Sequence, residues 1–377
     1  MSEKILNFCT ISGESVKKFE GIKKYIATGD IIDNKISSYA EVDYSNKPSR
    51  ANQIAKIGEV IFAKMKDTIK VITINKENSE YIYSTGFYII KPKANVLTDY
   101  LYWLFNSPKF NIDKDKYCKG ATQKALNNEG LGKIEINKLP DIKIQENIVY
   151  KLNKVNDILN KKKEQLNTLD ELIKSQFVEM FGDPVLNEKQ WRKVPLGTEC
   201  NIITGNTPSR NKKEYYGDFI EWIKSDNINT PSNYITQAEE YLSEEGKNVG
   251  RTINEDSILM TCIAGSISCI GNVAMTDRKV AFNQQINGIE TLKNNTIFMY
   301  VQFLLSKQYI QSTINMSLKG ILSKGKLSEL EFIFPPIELQ EQFAYKFQQI
   351  DKQKFEIENS LEEMQELYES LTEKYFG

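Results

Sequence analysis

The sequence predicts an α/β chain (mixed α+β) of two globular domains separated by two long helices. The helices form an antiparallel coiled coil, and the whole carries a pseudo-two-fold internal repeat. Three observations predict it. One segment recurs without a gap at an offset of 195 residues, the recurring segments carry a heptad of apolar residues, and the stretches between them alternate short strand-like runs with turns.

The repeat is clearest at its end. Leu169-Asp170-Glu171-Leu172-Ile173-Lys174-Ser175, running to Phe181-Gly182, falls on Met364-Gln365-Glu366-Leu367-Tyr368-Glu369-Ser370, running to Phe376-Gly377. Gln145-Glu146 falls on Gln340-Glu341 at the same offset. Upstream the match drifts, as loop insertions make it drift. Tyr25-Ile26 resembles Trp222-Ile223, Gly58-Glu59-Val60-Ile61-Phe62 resembles Glu255-Asp256-Ser257-Ile258-Leu259, and Lys119-Gly120 resembles Lys319-Gly320.

From Gln145 to Met180 no Pro or Gly interrupts a helix, and apolar residues step by four and three. They are Ile148, Leu152, Val155, Leu159, Leu166, Leu169, Ile173 and Met180, with Lys162 and Gln176 as polar breaks. Gly182 and Pro184 supply a stop. The second copy gives Phe343, Phe347, Ile350, Ile357, Leu361, Met364, Tyr368, Leu371 and Tyr375, broken by Lys354. Two matched seams predict that the helices pack on each other, and a pseudo-two-fold axis makes them antiparallel.

The globular stretches show strand-like runs at Val60–Ala63, Val71–Ile74, Tyr81–Tyr83 and Gly86–Ile90, then a helix over Thr98–Asn106. The second repeats the style at Ser257–Thr261, Gly271–Ala274 and Ile286–Ile289, with a helix over Thr296–Ser306. The short spacing implies mostly antiparallel sheets.

Composition narrows the function. No histidine is present among 377 residues, which removes Ser-His-Asp and Cys-His nucleophiles and histidine metal sites together. The five cysteines form no Cys-x-x-Cys pair, which fits reduced thiols in the cytoplasm. No signal peptide and no membrane span are expected. A net charge of −1 hides a gradient: residues 1–140 carry 22 basic and 16 acidic residues, residues 183–336 carry 16 and 17, and residues 337–377 carry 4 and 10. A nucleic-acid face would therefore be local. Gly320-Ile321-Leu322-Ser323-Lys324-Gly325-Lys326 approaches a phosphate loop, but Leu327 stands where the magnesium-binding Ser or Thr belongs.

The order domain–helix–domain–helix, with three motifs, resembles the specificity (S) subunit family of type I restriction-modification systems over nearly the whole chain. The motifs are Leu169-x-Glu171-Leu172-Ile173-x-Ser175-Gln176-Phe177 with Met180-Phe181-Gly182-Asp183-Pro184 and Trp191-x-x-Val194-Pro195-Leu196-Gly197; Pro335-Pro336-Ile337-Glu338-Leu339-Gln340, degenerate in the first copy at Leu139-Pro140; and Gly205-Asn206-Thr207-Pro208-Ser209, which the first domain lacks. The resemblance implies target recognition domains at residues 1–143 and 183–338, with conserved helices at 144–182 and 339–377. It implies a non-enzymatic adaptor that reads a bipartite asymmetric site in double-stranded DNA. Two modification (methyltransferase) subunits and restriction/translocase subunits would dock on it. The chain would bind no cofactor; S-adenosylmethionine would sit on the partner methyltransferase for adenine-N6 chemistry, and ATP and Mg on the restriction subunit. No Asn/Asp-Pro-Pro-aromatic motif is present, since Phe334 precedes Pro335-Pro336, and Pro140-Asp141 lacks a downstream Asp/Glu-x-Lys. The alternative readings are a coiled-coil scaffold without sequence-specific DNA binding, a carboxylate- or lysine-dependent enzyme, and the equivalent subunit of a system whose single partner both methylates and cuts.

Base edges in the major groove call for Arg or Lys at guanine and Asn or Gln at adenine. Loop clusters of these types are Lys47, Ser49, Arg50, Asn52 and Gln53, then Lys119, Thr122, Gln123 and Lys124. In the second domain they are Thr207, Ser209, Arg210, Lys212 and Lys213, then Asn283, Gln284 and Gln285, then Lys319, Ser323, Lys324 and Lys326. Gln284 follows Ala281-Phe282 and is expected to be partly buried and structural.

If the helices set the distance between half-sites, inserting seven residues into each lengthens the pair by about 10 Å, or about three base pairs. Sequencing of methylated adenines should then show a spacer longer by that amount; an unchanged spacer refutes the ruler.

Overall fold

The computed structural model describes residues 2–314 and 320–377. The chain divides into two compact units, one running up to Lys163 together with Glu358–Gly377, the other Glu164–Ile357.

The first unit holds a four-stranded antiparallel sheet in the order Val71–Thr73, Val60–Ala63, Phe87–Pro92, Cys9–Ile11. Its five-stranded sheet runs Glu14–Ser15, Ala51–Ile54, Ile82–Ser84, Lys23–Ile26, Ala40–Val42. Ile82–Ser84 and Lys23–Ile26 are parallel, an exception to the antiparallel expectation. Strand Val60–Ala63 is buried on both faces. Val60 and Phe62 pack with Leu101, Leu104 and Phe105 of the helix Thr98–Asn106, and Ile61 and Ala63 pack with Ile26, Tyr83 and Phe87.

The second unit repeats the four-stranded sheet and four strands of the five-stranded one, whose remaining strand lies on opposite edges in the two units. Its four-stranded sheet runs Val273–Met275, Ile258–Thr261, Ile286–Thr291, Cys200–Thr204, and Ile220–Ile223 pairs in parallel with Val280–Phe282. The register corrects one sequence alignment. Val60 pairs with Ile90 and Ile258 with Ile289, so Val60 corresponds to Ile258 and not to Ser257. A one-residue slip exchanges the two faces of a strand. With the corrected register, Ile258 and Met260 take the helix side and Leu259 the other, as Val60, Phe62 and Ile61 do.

A second correction concerns the glycine-lysine loops. Ala125 bridges to Met65 and Ile321 to Ile263, while Asn127 and Ser323 each cap the short helix that follows. Gly320 is therefore the counterpart of Lys124, not of Gly120. Lys319 lies outside the described residues.

The long helices are Ile142–Phe181 and Ile337–Phe376, 40 residues each, about 60 Å at 1.5 Å per residue. Each start is held by one glutamine. The Gln145 carbonyl accepts from the Leu97 amide at 3.0 Å, and its NH2 donates to the carbonyls of Asn95 (2.9 Å) and Pro140 (2.8 Å). The Gln340 carbonyl accepts from the Asn295 amide at 2.9 Å, and its NH2 donates to Asn294 Oδ1 (2.9 Å) and the Pro335 carbonyl (2.8 Å). Both glutamines are fully buried, so their hydrogen bonds satisfy backbone groups that water cannot reach.

The first long helix ends in a ring cluster of the second unit. Phe177 stacks on Phe298 at 5.3 Å and meets Phe343 edge-on at 5.4 Å, and Phe181 meets Phe298 at 4.9 Å. Its last carbonyls accept from the Trp191 indole (Phe181 O, 2.8 Å) and the Lys189 ammonium (Met180 O, 3.0 Å), which gives the Trp191 motif a capping role. Gly182, at φ +77°, turns the chain out of the helix. In the first unit Tyr368 and Phe376 of the second helix pack against Trp103 and Tyr100.

The seam does two jobs. Ile148 and Leu152 join the first globular core, as Phe343, Phe347 and Ile350 join the second. Val155 and Leu159 are buried; Leu166, Leu169, Ile357, Leu361, Met364 and Leu371 are half-buried. Within the second unit Gln176 accepts from Lys346 at 2.9 Å and Asp170 from Lys354 at 2.5 Å. One number falls as the other rises, so these helix segments are antiparallel. Lys354, a polar break in the heptad, is buried and paired here.

Replacing Gln340 by Ala leaves the Asn295 amide and two carbonyls without partners, at a cost of roughly 2–4 kcal/mol. Hydrogen exchange should show lost protection around Asn294–Phe298, with Gln145→Ala doing the same around Asn95–Leu101. Unchanged protection in both variants would remove the clamp.

Candidate nucleic-acid interface

In the first unit the structure brings the two candidate clusters of that domain onto one connected surface. Arg50 is exposed at the turn before strand Ala51–Ile54 and has no side-chain partner among the described residues. Its carbonyl accepts from the Thr85 amide at 2.9 Å, and the Thr85 carbonyl accepts from the Lys64 ammonium at 2.9 Å. The Lys64 carbonyl accepts from the Leu126 amide, and the Lys66 amide donates to the Lys124 carbonyl, both at 2.9 Å. Arg50, Thr85, Lys64, Lys66 and Lys124 thus line a continuous path, and Lys64, Lys66 and Thr85 were not singled out from sequence.

Lys119, Thr122, Gln123 and Lys124 are exposed on a hairpin loop between Cys118–Lys119 and Ala125–Leu126. Gly120 permits that loop: its φ is +139°, and a Cβ there would lie 2.3 Å from the Gln123 carbonyl. Lys119 pairs with Glu129 at 3.4 Å. Lys47 is half-buried and donates to the Ala51 carbonyl at 2.9 Å, while Ser49 is exposed. Asn52 is half-buried in its strand. Gln53 is internal, donating to the Ser84 (2.8 Å) and Phe87 (3.1 Å) carbonyls.

The second unit builds an equivalent surface from different residues. The Arg251 carbonyl accepts from the Phe282 amide at 3.2 Å; Phe282 is the counterpart of Tyr83 and not of Thr85, so Arg251 leads into the equivalent strand at a different register from Arg50. Arg251 is exposed and, among the described residues, its side chain has no partner. Arg210 is the arginine to which the sequence points in this domain. That guanidinium lies over Tyr216 (4.5 Å) and Trp222 (4.9 Å) and pairs with Glu240 at 2.7 Å. Arg210, then Lys224, hold the Glu240 carboxyl below the usual range. Arg210 therefore braces the 205–210 loop.

Gly205 lets that loop approach the sheet, since a Cβ would sit 2.1 Å from the Asn283 carbonyl. The Thr207 hydroxyl donates to Gln284 Oε1. Gln284 is exposed, against the expectation of burial, because it sits at the tip of a turn rather than in the strand before it. Asn283 is the buried member, its side chain accepting from the Gln285 amide at 3.0 Å. Gln285 is half-buried, with its carbonyl taken by the amides of Cys262 (2.7 Å) and Ile263 (3.1 Å). Ser209, Lys212 and Lys213 are exposed; Lys212 donates to the Tyr215 hydroxyl at 3.1 Å. Ser323 caps the helix Lys324–Glu329, with Lys324 exposed and Lys326 half-buried on its first turn.

A polar side chain clamps the corresponding loop in both units. Lys114, almost fully buried, donates to the carbonyls of Met65 (3.2 Å) and Thr68 (2.5 Å). Gln311 donates to those of Ile267 and Ile270, both at 2.9 Å. The first loop carries Lys64, Lys66 and Lys70, and the second, Cys262–Ile270, carries no charge.

The fold is thus duplicated, the same frame recurring in each unit and carrying a different polar surface each time. The family model described as "Type I restriction modification DNA specificity domain" matches residues 4–168 and again 188–367. The chain belongs to that family and is a type I restriction-modification specificity subunit with two recognition domains. It is 23% identical over 341 aligned residues to the type I restriction enzyme HindI specificity subunit of Haemophilus influenzae, covering 70% of this chain and 73% of that protein. It is 28% identical over 163 residues to the MjaIX specificity subunit of Methanocaldococcus jannaschii, covering 41% and 37%. Among solved structures, the type I system S subunit from M. genitalium superposes with a TM-score of 0.61 at 13% identity, covering 100% of this chain and 96% of that one. A chain from work on complex assembly and conformational transition of a type I system gives 0.58 at 17%, covering 100% and 97%. Among the described residues no helix is long and apolar enough to cross a membrane.

Burial lowers the Lys114 ammonium from its ordinary value of 10.5, with Asp115 opposing. The unfolded chain then binds that proton more tightly than the folded one, so stability rises with pH in the window below 10.5. Lys114→Gln can clamp the loop as Gln311 does and should remove that part of the slope, while Lys114→Met should loosen the loop. Denaturation at neutral pH and at about pH 10 tests this; identical slopes in wild type and Lys114→Gln would refute it.

Proposed function

We propose that this chain is the non-catalytic DNA-reading adaptor of a type I complex. Each domain reads one half of a split, asymmetric site, and the helix pair docks two modification subunits. Those subunits carry S-adenosylmethionine and methylate adenine N6, and restriction subunits, where present, bring ATP, Mg, translocation and cleavage. The observation that carries this reading is a pair of arginines, Arg50 and Arg251, each leading into the equivalent strand of its unit at a different register, both exposed, both without a side-chain partner among the described residues, beside turns of different chemistry. An arginine fork suits guanine O6/N7 or a phosphate, and unlike neighbours suit unlike half-sites. Family membership supports the same reading, and the likeness to a chain from a type I assembly supports partnership with other subunits.

In the assembled methyltransferase complex, Arg50→Ala and Arg251→Ala should each weaken binding to the cognate duplex by about 1–3 kcal/mol if the arginine makes a bidentate guanine contact. Arg210→Ala should lower the stability of the second unit as well as binding. Fluorescence anisotropy against cognate and scrambled duplexes measures both. Equal affinity of the unmodified complex for the two duplexes would favour the scaffold reading instead.

A further inference from the structure

We propose that Gln284 reads an adenine in the half-site of the second domain, and that Thr85 holds the equivalent selecting position in the first; this rests on the DNA-reading function proposed above. The two residues occupy one place in the repeated fold. Each follows a strand running parallel to its neighbour, with Tyr83 opposite Ile26 and Phe282 opposite Ile223. Each comes directly after a buried polar residue, Ser84 or Asn283, and each exposes its own side chain.

The turns beneath them are rigid. In the first domain the Gln53 amide donates to the carbonyls of Ser84 and Phe87, spanning the turn, and the Gly86 amide donates to Ser84 Oγ at 3.1 Å. In the second, the Gln285 amide donates to Asn283 Oδ1 at 3.0 Å and the Ile286 amide to the Asn283 carbonyl at 3.2 Å. Backbone and flanking side chains are thus spent on the turn, and the tip residue is the one left to meet a ligand. A preorganised element with one variable side chain is what base discrimination requires.

Gln284 is also oriented. Its Oε1 accepts from the Thr207 hydroxyl, on a loop that Gly205 seats against the sheet. An amide oxygen accepts two hydrogen bonds and the amide nitrogen donates two. One acceptor site and the NH2 therefore remain, which is the complement of adenine N6–H and N7. Thr207 acts as a positioning residue in this arrangement. Thr85 offers a methyl and a hydroxyl instead, so the two domains differ in chemistry at the position where their frames agree.

The test is sequencing of methylated adenines in cells carrying the full chain and its modification partner. Gln284→Ala should make one A·T pair of one half-site degenerate, with discrimination there falling roughly 10- to 100-fold, and leave the other half-site intact. Gln284→Glu should move preference at that position toward cytosine, whose N4 donates to a carboxylate. Thr85→Gln should alter one position of the opposite half-site only. Gln284 is exposed, so these variants should unfold at the wild-type temperature. A motif unchanged at every position in all three variants overturns the inference while leaving the DNA-reading function standing if Arg251→Ala still weakens binding. If Arg251→Ala is also without effect, this face is not the DNA interface and both fall. A Gln284→Ala variant that loses stability as Thr207→Val does, with its motif kept, shows a loop tether and not a reader.

Discussion

Phe181 and Phe376 are the same residue of the repeat, and each ends a helix inside a hydrophobic core: Phe181 among Phe177, Phe298 and Phe343, Phe376 against Tyr100. Each helix is pinned at its start as well, by Gln145 or Gln340. Within the second unit, Asp170 and Gln176 pair with Lys354 and Lys346, so one residue added between those contacts and Phe181 would turn the ring by about 100° and shift it by about 1.5 Å, taking it out of its core. That constraint explains why the repeat holds at 195 residues without a gap along the helices and drifts everywhere else. Each unit closes its core with the tail of the other copy's helix: the first joins the chain up to Lys163 with Glu358–Gly377, and the second is the single stretch Glu164–Ile357.

The same division runs through the surface proposed to read DNA. Atoms that hold the frame are used internally, often by unlike residues in like roles. Lys114 and Gln311 clamp corresponding loops, and Asn127 and Ser323 cap corresponding helices. Side chains at the turn tips and loop crests have no such duty, so their chemistry can differ between domains without cost to the fold. A duplicated frame with unlike tips suits an asymmetric ligand.

Much of the frame was legible in the sequence because its signals are local and periodic. The heptads, the Gly182 stop, the strand Val60–Ala63 and the helix Thr98–Asn106 each follow from residues close together in the chain. The errors were errors of register. Setting Val60 against Ser257 is a one-residue slip that hydrophobicity alone does not penalise, since Ile258 and Leu259 are both buried; only the face on which each packs distinguishes them. Pairing Gly120 with Gly320 followed a shared dipeptide, whereas the bridges through Ala125 and Ile321 set the true offset.

The site was less legible for a related reason: a sequence shows that a charge exists and not whether it is already used. Arg210 sits in the loop richest in family-like residues, yet Glu240, Tyr216 and Trp222 engage its guanidinium. Lys224 shares Glu240, and Arg278 pairs with Glu221. Arg251, in an unremarkable Gly-Arg-Thr run, has no side-chain partner among the described residues. A polyanion is attracted by cations that can exchange counterions for phosphates, and a guanidinium held by a carboxylate contributes little to that exchange. Formal charge thus misstates the difference between the domains. In domain 1 the Lys64–Lys70 loop carries three lysines and Asp67, with Lys66 and Lys124 exposed, while the equivalent loop in domain 2 is neutral. Each domain also exposes an arginine without a side-chain partner among the described residues, Arg50 or Arg251, at different registers of equivalent strands, and at the equivalent turn tip what separates the domains is the neutral pair Thr85 and Gln284.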